Sequence, residues 1–107
     1  MDEKTAALFD ARAKIIKALA HPTRLYIVDA LAQGERCVCE LHAGVGADFS
    51  TVSKHLLVLK NAGIVEDEKR GLQVYYRLRC TCILKFFDCV EGVLRANAQR
   101  HRDLLDE

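Results

Sequence analysis

Between Asp48 and Leu78 the hydrophobic period of the chain changes from that of a helix to that of a strand, and few folds accommodate that change in so short a span. Val52, Leu56, Leu59 and Gly63 recur at intervals of four, three and four, the spacing of one buried helix face. Asp48 precedes this run as an N-cap whose carboxylate can accept from free backbone N–H groups, and Gly63 is placed to close it. Immediately afterwards IVEDEKR and LQVYYRLR read as two strands, with Val74, Tyr76 and Leu78 on one side and Gly71 at the turn. The expectation is a helix over about 49–62 feeding a β-hairpin over about 64–79.

The flanks are helical in pattern. Residues 3–19 place Leu8, Ile15 and Leu19 on one stripe beside Ala7 and Ala11. Pro22 suits the first turn of a second helix, where its missing N–H costs nothing. That helix should carry Leu25, Val28 and Leu31 inward and end at Gly34. A short third helix runs from about Cys37 to the Gly44-Val45-Gly46 turn. From about Thr81 a last helix carries Ile83, Phe86, Phe87, Val90 and Leu94, and the tail ANAQRHRDLLDE reads as polar and frayed. The order of elements is that of a mainly α, winged helix-turn-helix domain. The apolar stripes of the first and last helices are left to pair two copies.

The chain of 107 residues is long enough for one domain and too short for two, so 1–107 reads as a single unit. A formal net charge of +1 neither demands nor excludes nucleic acid, so the local distribution of charge has to decide. No apolar run approaches the eighteen or so residues of a membrane helix, and the start of the chain lacks a signal-peptide pattern. The chain therefore reads as cytoplasmic, with no membrane partner. In a reducing cytosol its five cysteines are expected as free thiols. They cluster as Cys37/Cys39 and Cys80/Cys82, with Cys89 seven positions after Cys82. There is no Cys-x-x-Cys, zinc-protease motif or phosphate loop, which counts against an oxidoreductase and against an enzyme generally.

HPTRLYIVDAL in the second helix, ERCVCEL in the third, STVSKHLLVLKNAGIV through the fourth and GLQVYYRL in the hairpin follow one another with tight spacing. Together they resemble the ArsR/SmtB family of metal- and metalloid-responsive transcriptional repressors, over roughly Ala18 to Leu78. ERCVCEL is similar to the metalloid-binding signature of the arsenite-responsive branch and its cadmium and lead relatives. Arsenite sensors of the best-known type place a third cysteine where this chain has His42. Where the family commonly has glutamine before the Ser-Thr-Val-Ser run, this chain has Phe49. In zinc-sensing relatives an Asp-x-His pair stands where Cys80 and Cys82 are, and its later partners fall here on Val93 and Ala96, so a zinc site of that type is not expected.

The resemblance implies a homodimer on a palindromic, double-stranded operator, with the fourth helix in the major groove. Ser50, Thr51, Ser53, Lys54 and His55 then face bases or phosphates, and Lys69 and Arg70 sit at the wing tip. Glu66, Asp67 and Glu68 lie close enough to take part of the wing's positive charge. His55 could instead form a structural hydrogen bond to the wing.

For the ligand, the resemblance points to As(III), with Sb(III), Cd(II), Pb(II) or Zn(II) as alternatives, held by the thiolates of Cys37 and Cys39; soft thiolates select such ions. His42, Cys80, Cys82 and Cys89 are the further candidate ligands. Residues at i and i+2 point about 200° apart on a helix, so the third helix must distort or begin later for both sulfurs to grip one ion. Binding would release the protein from its operator and derepress resistance genes. A repressor switched by oxidation or persulfide formation on the same thiols is the alternative, and a winged domain that binds only protein is a third reading.

Overall fold

The structure, a computed structural model, describes residues 1–106. It contains α1 (Glu3–Leu19), α2 (Pro22–Ala32), β1 (Arg36–Cys37), α3 (Val38–Val45), α4 (Phe49–Asn61), β2 (Val65–Arg70), β3 (Gln73–Leu78) and α5 (Ile83–Leu105). Local chemistry sets the helix starts. Asp2 caps α1 by accepting from the Thr5 backbone N–H at 2.7 Å, and Asp48 caps α4 by accepting from that of Thr51 at 2.9 Å. The bond to Thr51 and its hydroxyl holds the Asp48 carboxyl below its usual pKa.

The core lies where α1, α2, α3, α4 and β2 meet. Leu19, Ile27, Val28, Leu31, Leu41, Val52, Leu56, Leu59, Ile64 and Val65 are buried there. The four-three-four spacing of α4 thus faces the core. The second helix differs from expectation. Leu25 is 41% exposed, and Ile27 is buried instead. Ile27, Val28 and Leu31 define a buried arc, and Leu25 lies about 110° from its centre at 100° per residue. Leu25 and Tyr26 turn instead towards α5, lining a groove of about 490 Å³ with Ile16, Phe86, Phe87 and Val90.

The β-structure is also larger than the sequence predicts. Arg36–Cys37 forms a third strand, giving an antiparallel sheet in the order β1-β3-β2. Cys37 pairs with Tyr75 and Arg36 with Tyr76, while β2 and β3 run in register from Val65↔Leu78 to Arg70↔Gln73. The last pair leaves Gly71 and Leu72 as a two-residue turn. Gly71 has φ 62°, which suits glycine at the first central position of a II′ hairpin turn.

At the C-terminal end, α5 continues to Leu105 rather than fraying from Ala96. The segment contains no glycine or proline, and Glu91–Arg95 and Gln99–Asp103 make i,i+4 side-chain hydrogen bonds along it. No helix among the described residues is long and apolar enough to cross a membrane. Large apolar side chains remain uncovered on α1 (Leu8, Phe9, Ile16) and on α5 (Phe86, Val90, Val93, Leu94).

Candidate nucleic-acid interface and thiol site

Helix α4 offers Ser50, Thr51 and Lys54 to solvent in its first half, with Ser53 partly buried beside them. Phe49, preceding them, is 53% exposed and meets the His42 ring edge-on at 5.6 Å between centroids. His42 therefore links α3 to the start of α4.

His55 does not share the exposed face. Its ring lies 4.3 Å from that of His21, the N-cap of α2, and its Nδ1 is 3.2 Å from Arg24 Nη1. Its hydrogen-bonding partner within the chain is thus on α2 and not on the wing. Arginine has only donors, so Nδ1 must accept and the ring proton must sit on Nε2. Burial, then the charges of His21 and Arg24, push the His55 pKa down. Arg24 is on the centre of the buried arc of α2, and its Nε is buried with no hydrogen-bond partner among the described residues. A charge in the middle of an apolar arc is a signal that the sequence carried.

A testable pH dependence follows. With its folded pKa below 6.5, His55 binds fewer protons folded than unfolded as pH falls through that value. The stability contribution is therefore present above pH 6.5 and lost below it. Urea denaturation on either side of pH 6.5 should show a falling midpoint on acidification, and His55→Gln should remove that part of the loss. An unchanged pH slope in the variant would contradict the packing of α2 on α4.

The wing arginines are held by acids. Arg70 Nη1 and Nη2 bond Glu35 at 2.5 and 2.9 Å, Arg70 Nε bonds Glu68, and the guanidinium lies 4.6 Å from the Tyr75 ring centre. Arg77 bonds Glu66 at 2.8 Å and pairs with Glu35 at 3.6 Å. The Glu35 carboxyl is held below its usual pKa, chiefly by Arg70, and the Arg70 pKa is raised by Glu35 and Glu68. Arg70, expected at the wing tip to meet the minor groove or the DNA backbone, is here engaged by acids of the chain itself. Lys69 makes no ion pair among the described residues. Glu35 and Arg77 were missed because the pairing of β1 with β3 brings them to the wing, and no local pattern predicts it.

The thiols straddle a boundary. Cys37 is in β1 and serves as the N-cap of α3, with φ −75° and ψ 159°, and its N–H bonds Glu40 Oε1 at 3.3 Å. Cys39 is in the first turn, exposed, and its Sγ donates to Gln73 Oε1 of β3 at 3.5 Å. Of the two ways to relieve the i, i+2 conflict, the helix takes the later start. Both thiols are free, and as thiolates they would be soft donors for a thiophilic ion. Among the described residues no group of three or more His, Cys, Asp or Glu is placed to hold a metal, so no third ligand stands beside them.

Cys80 and Cys82 correct the expectation of five free thiols: their sulfurs are joined, while Cys37, Cys39 and Cys89 are free. Residues 79–82 form a turn rather than regular structure, and the Cα atoms are 5.5 Å apart, within disulfide range. While bridged, neither residue offers a thiolate to an ion.

Residues 21–67 match the family described as bacterial regulatory protein, arsR family. The chain is also similar, at 36% identity and TM-score 0.79, to the solution NMR structure of the homodimeric winged helix-turn-helix DNA-binding domain (fragment 1–100) of Mb0332 from Mycobacterium bovis, a possible ArsR-family transcriptional regulator. That likeness covers 94% of this chain and 93% of the other. The chain belongs to the ArsR family. Among curated ArsR-type relatives, the HTH-type transcriptional regulator Rv0324 of Mycobacterium tuberculosis is 40% identical over 91 residues, 85% of this chain and 40% of that protein. A cadmium resistance transcriptional regulatory protein CadC homolog of Staphylococcus aureus is 43% identical over 67 residues, 62% of this chain and 55% of that protein. The chain thus spans about half or less of the length of these curated relatives.

Proposed function

We propose that this chain is a homodimeric transcriptional repressor that binds double-stranded operator DNA and is released when a thiophilic ion, As(III) first among them, binds Cys37 and Cys39. The observation that carries the reading is the position of the two thiols at the β1–α3 junction. β1 is hydrogen-bonded to the wing strand β3, Cys39 touches Gln73 of that strand, and α3 packs on α4. A ligand that draws Cys37 and Cys39 together therefore acts on both the wing and the reading helix. It favours release only as far as it binds the released shape better, and operator DNA must weaken ion binding by the same factor.

Ser50, Thr51, Ser53 and Lys54 are the proposed groove contacts, and Lys69 the wing contact. His55 is a positioning residue through Arg24. A second copy places two α4 helices at half-sites about one DNA turn apart. Cys37 and Cys39 would supply two sulfur ligands to As(III), and a small thiol or water would supply the third. The similarity to a cadmium resistance regulator supports an ion of this soft class.

Fluorescence anisotropy of the reduced protein on its upstream promoter DNA tests the reading. As(III), Cd(II) and Zn(II) are added separately to wild type and to Cys37→Ser/Cys39→Ser. As(III) should weaken wild-type binding by roughly tenfold or more, in the range of ordinary allosteric coupling, and should leave the double variant bound. Release that survives the double substitution would move the sensor away from these thiols.

The charge pattern makes a separate prediction. Lys69→Ala should weaken operator binding and flatten its salt dependence by about one counterion. Glu35→Gln, by freeing Arg70, should tighten binding and steepen the same slope. Weaker binding by Glu35→Gln would show that the clasp positions the wing rather than withholding charge from it.

A further inference from the structure

The two Cys-x-Cys pairs have identical spacing and different states. Cys37 in β1 and Cys39 in the first turn of α3 are both free, whereas Cys80 and Cys82 are joined in the turn between β3 and α5. We propose that Cys80 and Cys82 form a reversible redox switch that sets the start of α5, and that the bridged form makes the tighter dimer and binds operator DNA more tightly. The operator part rests on the DNA-binding reading above, but neither part depends on the Cys37/Cys39 site.

Ring size argues for a switch rather than a staple. The bridge spans three residues, so it removes little chain entropy from the unfolded state, and its consequences are local to the turn. Both residues are exposed, so small oxidants and reductants can reach the sulfurs. The location then decides what the local change touches. On one side, Arg79 N–H bonds Ile64 O at 2.9 Å, fixing the end of β3. On the other, Cys82 directly precedes α5 and makes no side-chain capping bond. With Ile83 and Phe86, Cys82 also lines a groove of about 390 Å³ against Arg12, Ile15, Ile16 and Leu19 of α1.

The bridge therefore stands between a wing strand and the two helices whose apolar faces are uncovered. Closed, it fixes where α5 leaves β3. In this bridged form the Leu84 N–H to Thr81 O and Lys85 N–H to Cys82 O bonds, each 3.1 Å, close the first turn on carbonyls that lie within the bridged segment. A preorganised α5 gives the tighter dimer, because less ordering remains to be done on association.

Closure by hydrogen peroxide balances as follows. One thiolate attacks the O–O bond and becomes a sulfenic acid, releasing hydroxide. The second thiolate attacks that sulfur, forms the S–S bond and expels a second hydroxide. With the two thiol protons these leave as two waters, and the sulfurs have given two electrons to the peroxide. A dithiol reductant reverses the change through a mixed disulfide and leaves as its own disulfide.

The test uses the full chain in two variants. Cys37→Ser/Cys39→Ser/Cys89→Ser keeps only the proposed switch, and Cys80→Ser/Cys82→Ser removes it. Each is treated with hydrogen peroxide or dithiothreitol, thiols are counted by alkylation and mass spectrometry, and dimer dissociation and operator affinity are measured by sedimentation and anisotropy. In the first variant, peroxide should close one bridge and tighten both dimer and operator binding by at least about fivefold, the lower end of ordinary coupling. Cys80→Ser/Cys82→Ser should remain at the reduced wild-type values under both treatments. Linkage adds a readout that a merely structural bridge would not move: operator DNA must favour the disulfide, lowering its reduction potential by about 30 mV per tenfold affinity difference. Thiols that stay open, a bridge that shifts dimerisation less than twofold, or one that weakens either interaction overturns the switch. If no form binds DNA, the operator reading fails separately, and the sedimentation result alone decides whether the bridge controls dimerisation.

Discussion

Leu56→Ala is expected to cost about 2–5 kcal/mol of stability, the range for emptying a fully buried leucine site. Leu56 is 0% exposed, on the inner face of α4, in the cluster that contains Ile27, Val28, Val52 and Leu59. Helices on both sides fix the walls of that site, so the vacated volume cannot close without moving α4 against α2. A domain of this size has about 5–15 kcal/mol to lose, so this single change removes a large share. Leu57→Ala is the control. Leu57 is 54% exposed, and its truncation should stay within about 0.5 kcal/mol. Paired urea titrations measure both. A loss below about 1 kcal/mol at Leu56 would mean that α4 is not seated on this core. The functional consequence is direct, since the buried face that seats α4 holds Ser50, Thr51 and Lys54 in place on its other side.

Leu94→Glu is expected to raise the dimer dissociation constant by about a hundredfold or more while leaving the fold of each chain intact. Leu94 is 62% exposed in the single chain and Val93 60%, so neither holds the protomer together. They continue the uncovered apolar face of Phe86 and Val90 on a helix about 35 Å long. Two copies pairing through α1 and α5 would bury Leu94, and burying an unpaired carboxylate costs several kcal/mol per site. In a two-fold interface each substitution counts twice. Sedimentation should show monomers at concentrations where wild type is dimeric, with the circular dichroism spectrum unchanged. Operator affinity should fall with dimerisation, because one half-site contact rarely suffices. A Leu94→Glu protein that remains dimeric would place the interface elsewhere.

Local physics was legible in the sequence wherever a period or a cap encoded it. Asp48 as the start of α4, Val52, Leu56 and Leu59 as its inner face, and Gly71 as the hairpin turn follow from contacts within a few residues. So does the change from helical to strand period that identifies the winged fold. Cys37 and Cys39 stood out by their close spacing and by the resemblance of ERCVCEL to a family signature, and the geometric conflict of i, i+2 ligands on a helix left open that the helix begins after Cys37.

What only the tertiary structure decided involves residues that sequence separates widely, or backbone that has no period. Glu35 meets Arg70 and Arg24 meets His55 across 35 and 31 positions, so a wing charge and a reading-helix histidine acquire partners that no local pattern encodes. β1 is two residues long, too short to alternate, and exists because β3 offers it an edge. The two Cys-x-Cys pairs are alike in sequence. A strand–helix junction keeps one open and a turn closes the other, because sulfur proximity depends on backbone dihedrals and not on spacing.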